Sequence, residues 1–200
     1  MIEILWHGRG GQGAFTAARL LGAAASMEDG AYALAFPSFG PERRGAPMRA
    51  FTKMSDAPIG DRSAISTADF VIYLDDTLLA PGWERELKPG GMALVNSARS
   101  TMDLLAAVGG PDQLLAVDAD GLSEELLGRP IPNTVFLGSL SLLCDRVPLD
   151  AVSAAVLQYM APKLHDKNLA IIDKARHATA KALVDRAEAR MAAGGPDTDP

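Results

Sequence analysis

Cysteine is the scarcest reactive residue in this chain, because Cys144 is the only one among 200 residues. A single thiol cannot form an intrachain disulfide, and by itself it cannot hold an iron–sulfur cluster or a structural zinc ion. A reducing, cytoplasmic setting is therefore expected. Residues 1–5 lack the basic region of a signal peptide, and no apolar run approaches the roughly 18–20 residues that a membrane span needs.

Basic residues are fewer than acidic ones in this chain. The 19 Lys and Arg against 25 Asp and Glu give a net charge of −6, which disfavours nonspecific binding to nucleic acid or to an anionic membrane. The 48% apolar and 22% charged content is that of a folded domain and excludes a disordered chain. We expect one domain over residues 1–193 and a flexible tail over 194–200.

Short apolar runs alternate with helix-forming segments along the chain. The fold class expected is α/β, with a mainly parallel, doubly wound (Rossmann-like) sheet, because strands separated by helices need crossover connections. The last part of the chain turns helical, so helices should follow the sheet. Strands are predicted at 2–7, 31–35, 48–53, 70–74, 92–96 and 114–117, a turn at 87–91, and helices at 14–27, 133–146, 149–161 and 165–192.

The first strand ends in a glycine-rich loop. Gly8, Gly10 and Gly13 have the G-x-G-x-x-G spacing of a dinucleotide-binding loop between a strand and a helix. Glycines let backbone N–H groups approach a phosphate, and the helix that follows adds its positive end. A tight turn without a ligand would satisfy the same glycines. The second predicted strand is not followed by the acidic residue that an NAD site offers to the ribose, which argues against ordinary NAD binding.

A second loop, residues 36–47 (FPSFGPERRGAP), combines three prolines and two glycines with two aromatic residues. Its adjacent Arg43 and Arg44 could bind phosphate through their guanidinium groups. Phe and Arg are also frequent anchors of protein interfaces, so the loop could instead contact another subunit. A solvated surface loop is the third interpretation. It is the least favoured, because Phe36 and Phe39 would then lack a partner.

Two other features allow more than one interpretation. His7, at the end of the first strand, could contact phosphate, but a hydrogen bond to backbone is favoured. Asp75 and Asp76 follow the strand at 70–74, where open α/β sheets place their ligands, but they could instead cap the next helix.

The two loops in this order resemble the gamma subunit of 2-oxoacid:acceptor oxidoreductases, best known from pyruvate:ferredoxin oxidoreductase. The resemblance rests on HGRGGQGAFTAARLL at 7–21 and on the loop at 36–47. It continues through DD at 75–76, KPGG at 88–91 and PNTVFLGSL at 132–140.

The resemblance implies a subunit of a larger enzyme that oxidatively decarboxylates a 2-oxoacid (pyruvate, 2-oxoglutarate, phenylglyoxylate or another) to the acyl-CoA. Thiamine diphosphate with Mg and the 4Fe–4S clusters would lie on alpha, beta and ferredoxin-like delta partner subunits. Electrons would pass to ferredoxin, or to NAD through an added flavoprotein. This chain would cover the active site and help bind coenzyme A, without a catalytic residue or a metal of its own.

The cofactor-binding residues expected are those of the two loops: Gly8, Arg9, Gly10, Gly11, Gln12, Gly13, Arg43 and Arg44. The alternatives are a free-standing nucleotide-binding regulatory module, which would bind its ligand as a monomer, and a purely structural interaction subunit, whose loops would contact protein only.

Overall fold

The structure is a computed structural model that describes residues 1–38 and 44–192. Arg43 and the expected tail at 194–200 lie outside the described residues, so the domain boundary at residue 193 stays a prediction. The strands are β1 (Ile2–Arg9), β2 (Tyr32–Pro37), β3 (Pro47–Ser55), β4 (Ala68–Tyr73), β5 (Leu87–Asn96) and β6 (Leu114–Val117). The helices are α1 (Ala14–Ala25), α2 (Thr101–Val108), α3 (Ala119–Leu127), α4 (Asn133–Leu143), α5 (Leu149–Tyr159) and α6 (His165–Ala192).

The strands form one sheet in the order β2-β3-β1-β4-β5-β6. β1, β4, β5 and β6 run parallel to one another, whereas β3 lies antiparallel to both β1 and β2. The mainly parallel α/β sheet is therefore confirmed, with one inverted strand. Because β3 is inverted, its first residue lies at the edge where β1 ends, and Pro47 pairs with Arg9.

Alternation along β1 separates the two faces of the sheet. Ile4 and Trp6 lie in the core on the face covered by α1, α4, α5 and α6, and Trp6 Nε1 donates to Thr52 Oγ1 at 3.1 Å. Leu5 belongs to the core of the opposite face, together with Trp83 and with Leu104 of α2. Both faces are covered by packed elements, as a doubly wound sheet requires.

Several element bounds differ from those predicted. The turn predicted at 87–91 is wrong, because Leu87 pairs with Ala68 and the segment belongs to β5. Lys88 fixes it there through ion pairs to Glu3 (2.9 Å) and Asp69 (2.8 Å). The helices at 14–27, 133–146 and 149–161 end two or three residues earlier than predicted, and 165–192 is confirmed.

The connection between β2 and β3 is also different from the prediction. Only a loop, 36–47, is predicted between these two strands, and the structure shows that they are antiparallel neighbours joined directly. Phe36 and Pro37 belong to β2 and Pro47 to β3, so the loop is shorter than 36–47. Proline is tolerated here because β2 is an edge strand and Pro47 is the first residue of β3. No helix within residues 1–38 and 44–192 is long and apolar enough to cross a membrane.

Candidate functional site

The two loops singled out in the sequence meet at the carboxyl edge of the sheet. Gly10 and Arg44 form a backbone bridge, in which Gly45 N–H donates to the carbonyl of Gly10 at 2.9 Å. The N–H of Gly10 donates in turn to the carbonyl of Ala46, also at 2.9 Å. The loop after β1 and the residues that lead into β3 are therefore one continuous backbone structure.

The polar side chains of the glycine-rich loop fix its shape. Gln12 Oε1 accepts from the Arg9 N–H at 2.7 Å, and Arg9 Nε donates to Asp75 Oδ2 at 2.9 Å. Arg9 also donates to Thr77 Oγ1 (2.9 Å) and to the carbonyl of Gly45 (3.2 Å). The guanidinium of Arg9 is thus engaged within the protein, and its role here is to hold the loop.

Asp75 is the acceptor that this arrangement depends on. Burial raises the pKa of its carboxyl group, but hydrogen bonds from Thr77, Arg9 and Gln12 outweigh burial and hold that pKa below its ordinary value. Asp75 also accepts from the Thr77 N–H at the start of a 3-10 turn. It therefore caps this turn, which agrees with the capping role that was one of the two predicted from the sequence. Its neighbour Asp76 accepts from Ser97 Oγ at 2.7 Å.

The backbone N–H groups of the loop differ in availability. Those of Gly10 and Gln12 donate to Ala46 and Arg9, and Gly8 lies within β1. Gly11 and Gly13 both have positive φ, 102° and 83°, a conformation that glycine adopts without strain. Gly13 precedes α1, which has no side-chain cap and no acidic residue in its first turn. An anion placed here would meet an uncompensated positive helix end.

Of the two arginines predicted to bind phosphate, Arg44 is described and its side chain is exposed beside the glycine-rich loop. Arg43 and Phe39 lie outside the described residues. Phe36 is half-buried and packs against Phe51, with ring centroids 5.1 Å apart. The partner that Phe36 needs therefore lies within this chain.

His7 has a different environment from either interpretation of the sequence. Its Nε2 lies 2.7 Å from Glu86 Oε2, and its ring stacks on Tyr73 at 4.6 Å between centroids. Tyr73 Oη donates to the same carboxylate oxygen at 2.9 Å. The hydrogen bond to backbone predicted for His7 is therefore wrong. Burial raises the pKa of Glu86, but the hydrogen bonds from His7 and Tyr73 more than offset it, so that pKa lies below its ordinary value.

The remaining strand ends at this edge are polar. Asn96 donates to the carbonyl of Leu74 at 3.0 Å and accepts from the N–H groups of Ala119 and Asp120, so it connects β4, β5 and α3. Burial raises the pKa of Asp120, and the nearby Asp118 adds to the rise. In residues 1–38 and 44–192 no group of three His, Cys, Asp or Glu residues is arranged to hold a metal ion.

A cavity of about 550 Å³ lies further along the same edge, beyond the ends of β5 and β6. The start of α2 and one face of α6 form its walls, with charged residues of both signs. A smaller cleft of about 280 Å³ lies between α1, the edge strand β2 and the end of α5. Neither includes a residue of the glycine-rich loop.

Fold and site together define a Rossmann-like α/β protein with a glycine-rich loop at the carboxyl edge of its sheet. The family of the chain follows from its match to the family model described as pyruvate ferredoxin/flavodoxin oxidoreductase, over residues 3–178. The chain belongs to this family and corresponds to its gamma subunits, which confirms the resemblance seen in the two loops.

Curated relatives are similar over nearly their whole length. The "Pyruvate/ketoisovalerate oxidoreductases common subunit gamma" of Thermococcus kodakarensis is 42% identical, with 90% of this chain and 97% of the relative covered. "Pyruvate synthase subunit PorC" of Methanothermobacter marburgensis is 43% identical, with 84% and 92% covered.

Solved structures show the same fold. The crystal structure of the pyruvate oxidoreductase subunit PORC from Thermotoga maritima has a TM-score of 0.76 at 35% identity, covering 88% of this chain and 96% of that one. The 2-oxoglutarate:ferredoxin oxidoreductase of Magnetococcus marinus, solved with 2-oxoglutarate, coenzyme A and succinyl-CoA bound, has a TM-score of 0.68 at 16% identity. The match covers 90% of this chain but only 31% of the Magnetococcus chain, and at this identity it shows the fold alone.

Proposed function

We propose that this gamma subunit binds the phosphates of coenzyme A at its glycine-rich loop and covers the active site of a 2-oxoacid oxidoreductase complex. The complex would convert a 2-oxoacid, coenzyme A and an oxidised acceptor into the acyl-CoA, carbon dioxide and the reduced acceptor. Pyruvate is the substrate favoured, because the relatives above carry pyruvate in their names. 2-Oxoglutarate and phenylglyoxylate are the other candidates.

The observation that carries the proposal is the backbone pairing of Gly10 with Arg44. It brings the glycine-rich loop and the arginine-bearing loop to one place at the carboxyl edge of the sheet. Ligands of open α/β sheets bind at this edge. The pairing also joins the backbone of Arg44, an exposed residue, to the loop that leads into the uncapped start of α1, which supports a ligand that carries more than one phosphate.

In this proposal different residues of the site bind different phosphate groups of coenzyme A. The N–H groups of Gly11, Gly13 and the first turn of α1 would donate to the oxygens of one phosphate group. Arg44 would hold a second phosphate, and Arg43 is assigned the same role from the sequence alone. Arg9 and Gln12 support the loop through Asp75 rather than contacting the ligand. Fixing the phosphates would orient the thiol of coenzyme A toward the reacting carbon, which is a positioning role.

The remaining chemistry belongs to partner subunits in this proposal. Thiamine diphosphate with Mg and iron–sulfur clusters supply carbon–carbon cleavage and electron transfer when bound. A chain with one cysteine cannot ligate a cluster alone, which supports placing the clusters on partners. Alpha, beta and ferredoxin-like delta subunits are the partners expected. The acceptor would be ferredoxin, or NAD through a flavoprotein subunit.

An anaerobic pull-down of the tagged chain from its native cells tests the assembly. Larger subunits should arrive with iron and thiamine, and the purified complex should oxidise a 2-oxoacid in a coenzyme A-dependent reaction. A monomer that binds a nucleotide by itself would overturn the subunit assignment and favour a free-standing module.

Arg44→Met in that complex tests the site. The KM for coenzyme A should rise about tenfold, equivalent to the loss of one charge-assisted phosphate contact, while the KM for the 2-oxoacid stays the same. Arg62→Met removes another exposed arginine, from the connection between β3 and β4 at the opposite edge of the sheet, and should change neither. An unchanged KM for coenzyme A in Arg44→Met would favour the purely structural role for this loop.

A further inference from the structure

A second helix begins beside the glycine-rich loop. A Cβ built on Gly13 would lie 2.5 Å from Nδ2 of Asn133, the first residue of α4. The side-chain amide of Asn133 therefore packs directly on the α-carbon of the residue that precedes α1. The sequence places these two residues 120 positions apart, and only the fold brings them together.

The two ends of the Asn133 amide have different environments. Its Oδ1 accepts from the Thr134 N–H at 2.9 Å. Its Nδ2 has no acceptor in hydrogen-bond geometry anywhere in residues 1–38 or 44–192, although Asn133 is only 7% exposed. Asn133 is largely buried, but its Nδ2 lies against Gly13 of the loop, where an acceptor supplied by a ligand can pair with it.

Asn133 is also held rigidly. The next residue, Thr134, is fully buried and donates through Oγ1 to Asn168 Oδ1 at 2.9 Å. Asn168 Nδ2 donates in turn to the carbonyl of Leu164 at 2.7 Å, which ties the start of α4 to α6. At the middle of α4 a Cβ on Gly138 would lie 2.4 Å from the carbonyl oxygen of Ile172, so the two helices are in close contact. The amide of Asn133 is therefore preorganised before any ligand arrives.

The charges at the two helix starts favour an anion. α1 follows Gly13 and α4 follows Pro132, and neither residue offers a side-chain cap. Neither helix has an acidic residue in its first turn. Two positive helix ends thus meet at Gly13 with a neutral donor between them.

We propose that Asn133 is a further ligand-binding residue of this site, whose Nδ2 donates to a phosphate or pyrophosphate group held at the first turn of α1. The proposal rests on the coenzyme A function above and adds a residue from the far half of the chain. Because the donor is an uncharged amide, its contribution stays the same across the pH range in which the phosphate is ionised.

The test uses the purified complex. Asn133→Asp keeps the acceptor for Thr134 N–H but replaces the donor by a carboxylate oxygen, and Asn133→Ala removes the donor without adding charge. Ala180→Glu adds the same single charge on an exposed position of α6, 12 residues or about 18 Å along the helix from Asn168. Binding of coenzyme A is measured by calorimetry without the 2-oxoacid, and inorganic pyrophosphate serves as the competing probe.

Asn133→Asp should weaken the binding of both coenzyme A and pyrophosphate at least tenfold. Asn133→Ala should weaken it by a smaller factor. Ala180→Glu should bind both within twofold of the unmodified complex. The kcat at saturating coenzyme A should change little. If the complex binds coenzyme A and both Asn133 variants bind it equally well, this inference is overturned while the proposed function stands. If the unmodified complex binds neither probe, both are overturned. If the complex with Asn133→Asp does not assemble, the binding of coenzyme A by the Asn133→Ala complex tests the inference.

Discussion

Arg9 and Asp75 join the glycine-rich loop to the end of β4: Arg9 Nε donates to Asp75 Oδ2 at 2.9 Å, and the same oxygen accepts from Gln12 Nε2 at 3.3 Å. The loop that presents the N–H groups of Gly11 and Gly13 is thus closed by one carboxylate, which follows strand β4. Its shape is fixed before a ligand binds, which reduces the entropy that binding must overcome.

Asp75→Asn should open this contact. The amide keeps an acceptor but loses the charge that strengthens the hydrogen bonds from Arg9 and Gln12, so we expect a loss of about 1–2 kcal/mol in the free energy of unfolding. Urea denaturation measures it. Asp145→Asn, at an exposed position, should change that free energy by less than about 0.5 kcal/mol. Equal effects of the two substitutions would contradict a structural role for Asp75.

Gly13→Ala and Gly11→Ala separate backbone strain from side-chain contact. Both glycines have positive φ, but a Cβ at Gly11 meets nothing within 4 Å, whereas at Gly13 it would overlap Asn133. Strain alone should cost about 1–2 kcal/mol in Gly11→Ala, and Gly13→Ala should cost measurably more. A double-mutant cycle with Asn133→Ala should recover the difference. If the two single variants are equally stable, the side chain of Asn133 is displaced without penalty.

Lys53 provides a test of a buried charge. Its side chain is 1% exposed and pairs with Asp61 at 2.5 Å and Glu3 at 3.7 Å. Lys53→Ala removes the cation that Asp61 contacts and the buried aliphatic part of the lysine side chain, whereas Glu3 keeps its ion pair with Lys88, and we expect a cost of about 2–4 kcal/mol in thermal or urea unfolding. Lys174→Ala breaks an exposed pair with Glu125 and should cost less than about 1 kcal/mol. A smaller loss from Lys53→Ala than from Lys174→Ala would show that burial does not strengthen the pair.

Glu86 should give stability a dependence on pH. Its pKa in the folded protein lies below the value of about 4.3 expected when unfolded, so its ionised form stabilises the fold. This contribution is complete above that value and disappears as the pH falls through the folded pKa. Glu86→Gln should therefore lower the free energy of unfolding most at pH 6–7, and its difference from the unmodified chain should shrink as the pH falls below about 4.3. A difference that is constant from pH 7 to pH 3 would exclude this origin.

Local sequence patterns were sufficient for the parallel core of the fold. The apolar run at β6 and the long helix α6 predict their own bounds, whereas the runs at β1 and β4 predict the strands but miss their ends by one or two residues. The direction of β3 could not be predicted, since alternation shows which residues share a face but not which way the strand runs. The helices α2 and α3 are short, nine residues at most, and the sequence patterns set no bounds for them.

The candidate site was predicted in part. Gly13, Arg44 and the strand-end Asp75 are visible locally because glycine spacing and adjacent arginines carry their own chemistry. The partners Arg9–Asp75 and His7–Glu86 are 66 and 79 residues apart, and a single sequence does not show which distant polar residues meet. Asn133 follows a proline at the start of an apolar helix, and this position is the local sequence feature that indicates a role for it.

The inverted strand β3 also has a consequence for how such a subunit can vary. A crossover between parallel strands must span the sheet, so a change in its length disturbs a helix or a strand of the core. The hairpin that joins β2 to β3 has no such constraint, because it starts and ends at the same edge of the sheet. A change in its length leaves the crossovers of the core unaffected, although Gly45 and Ala46 hold the end of the connection to Gly10. The length of this rim can therefore vary while the central sheet is preserved.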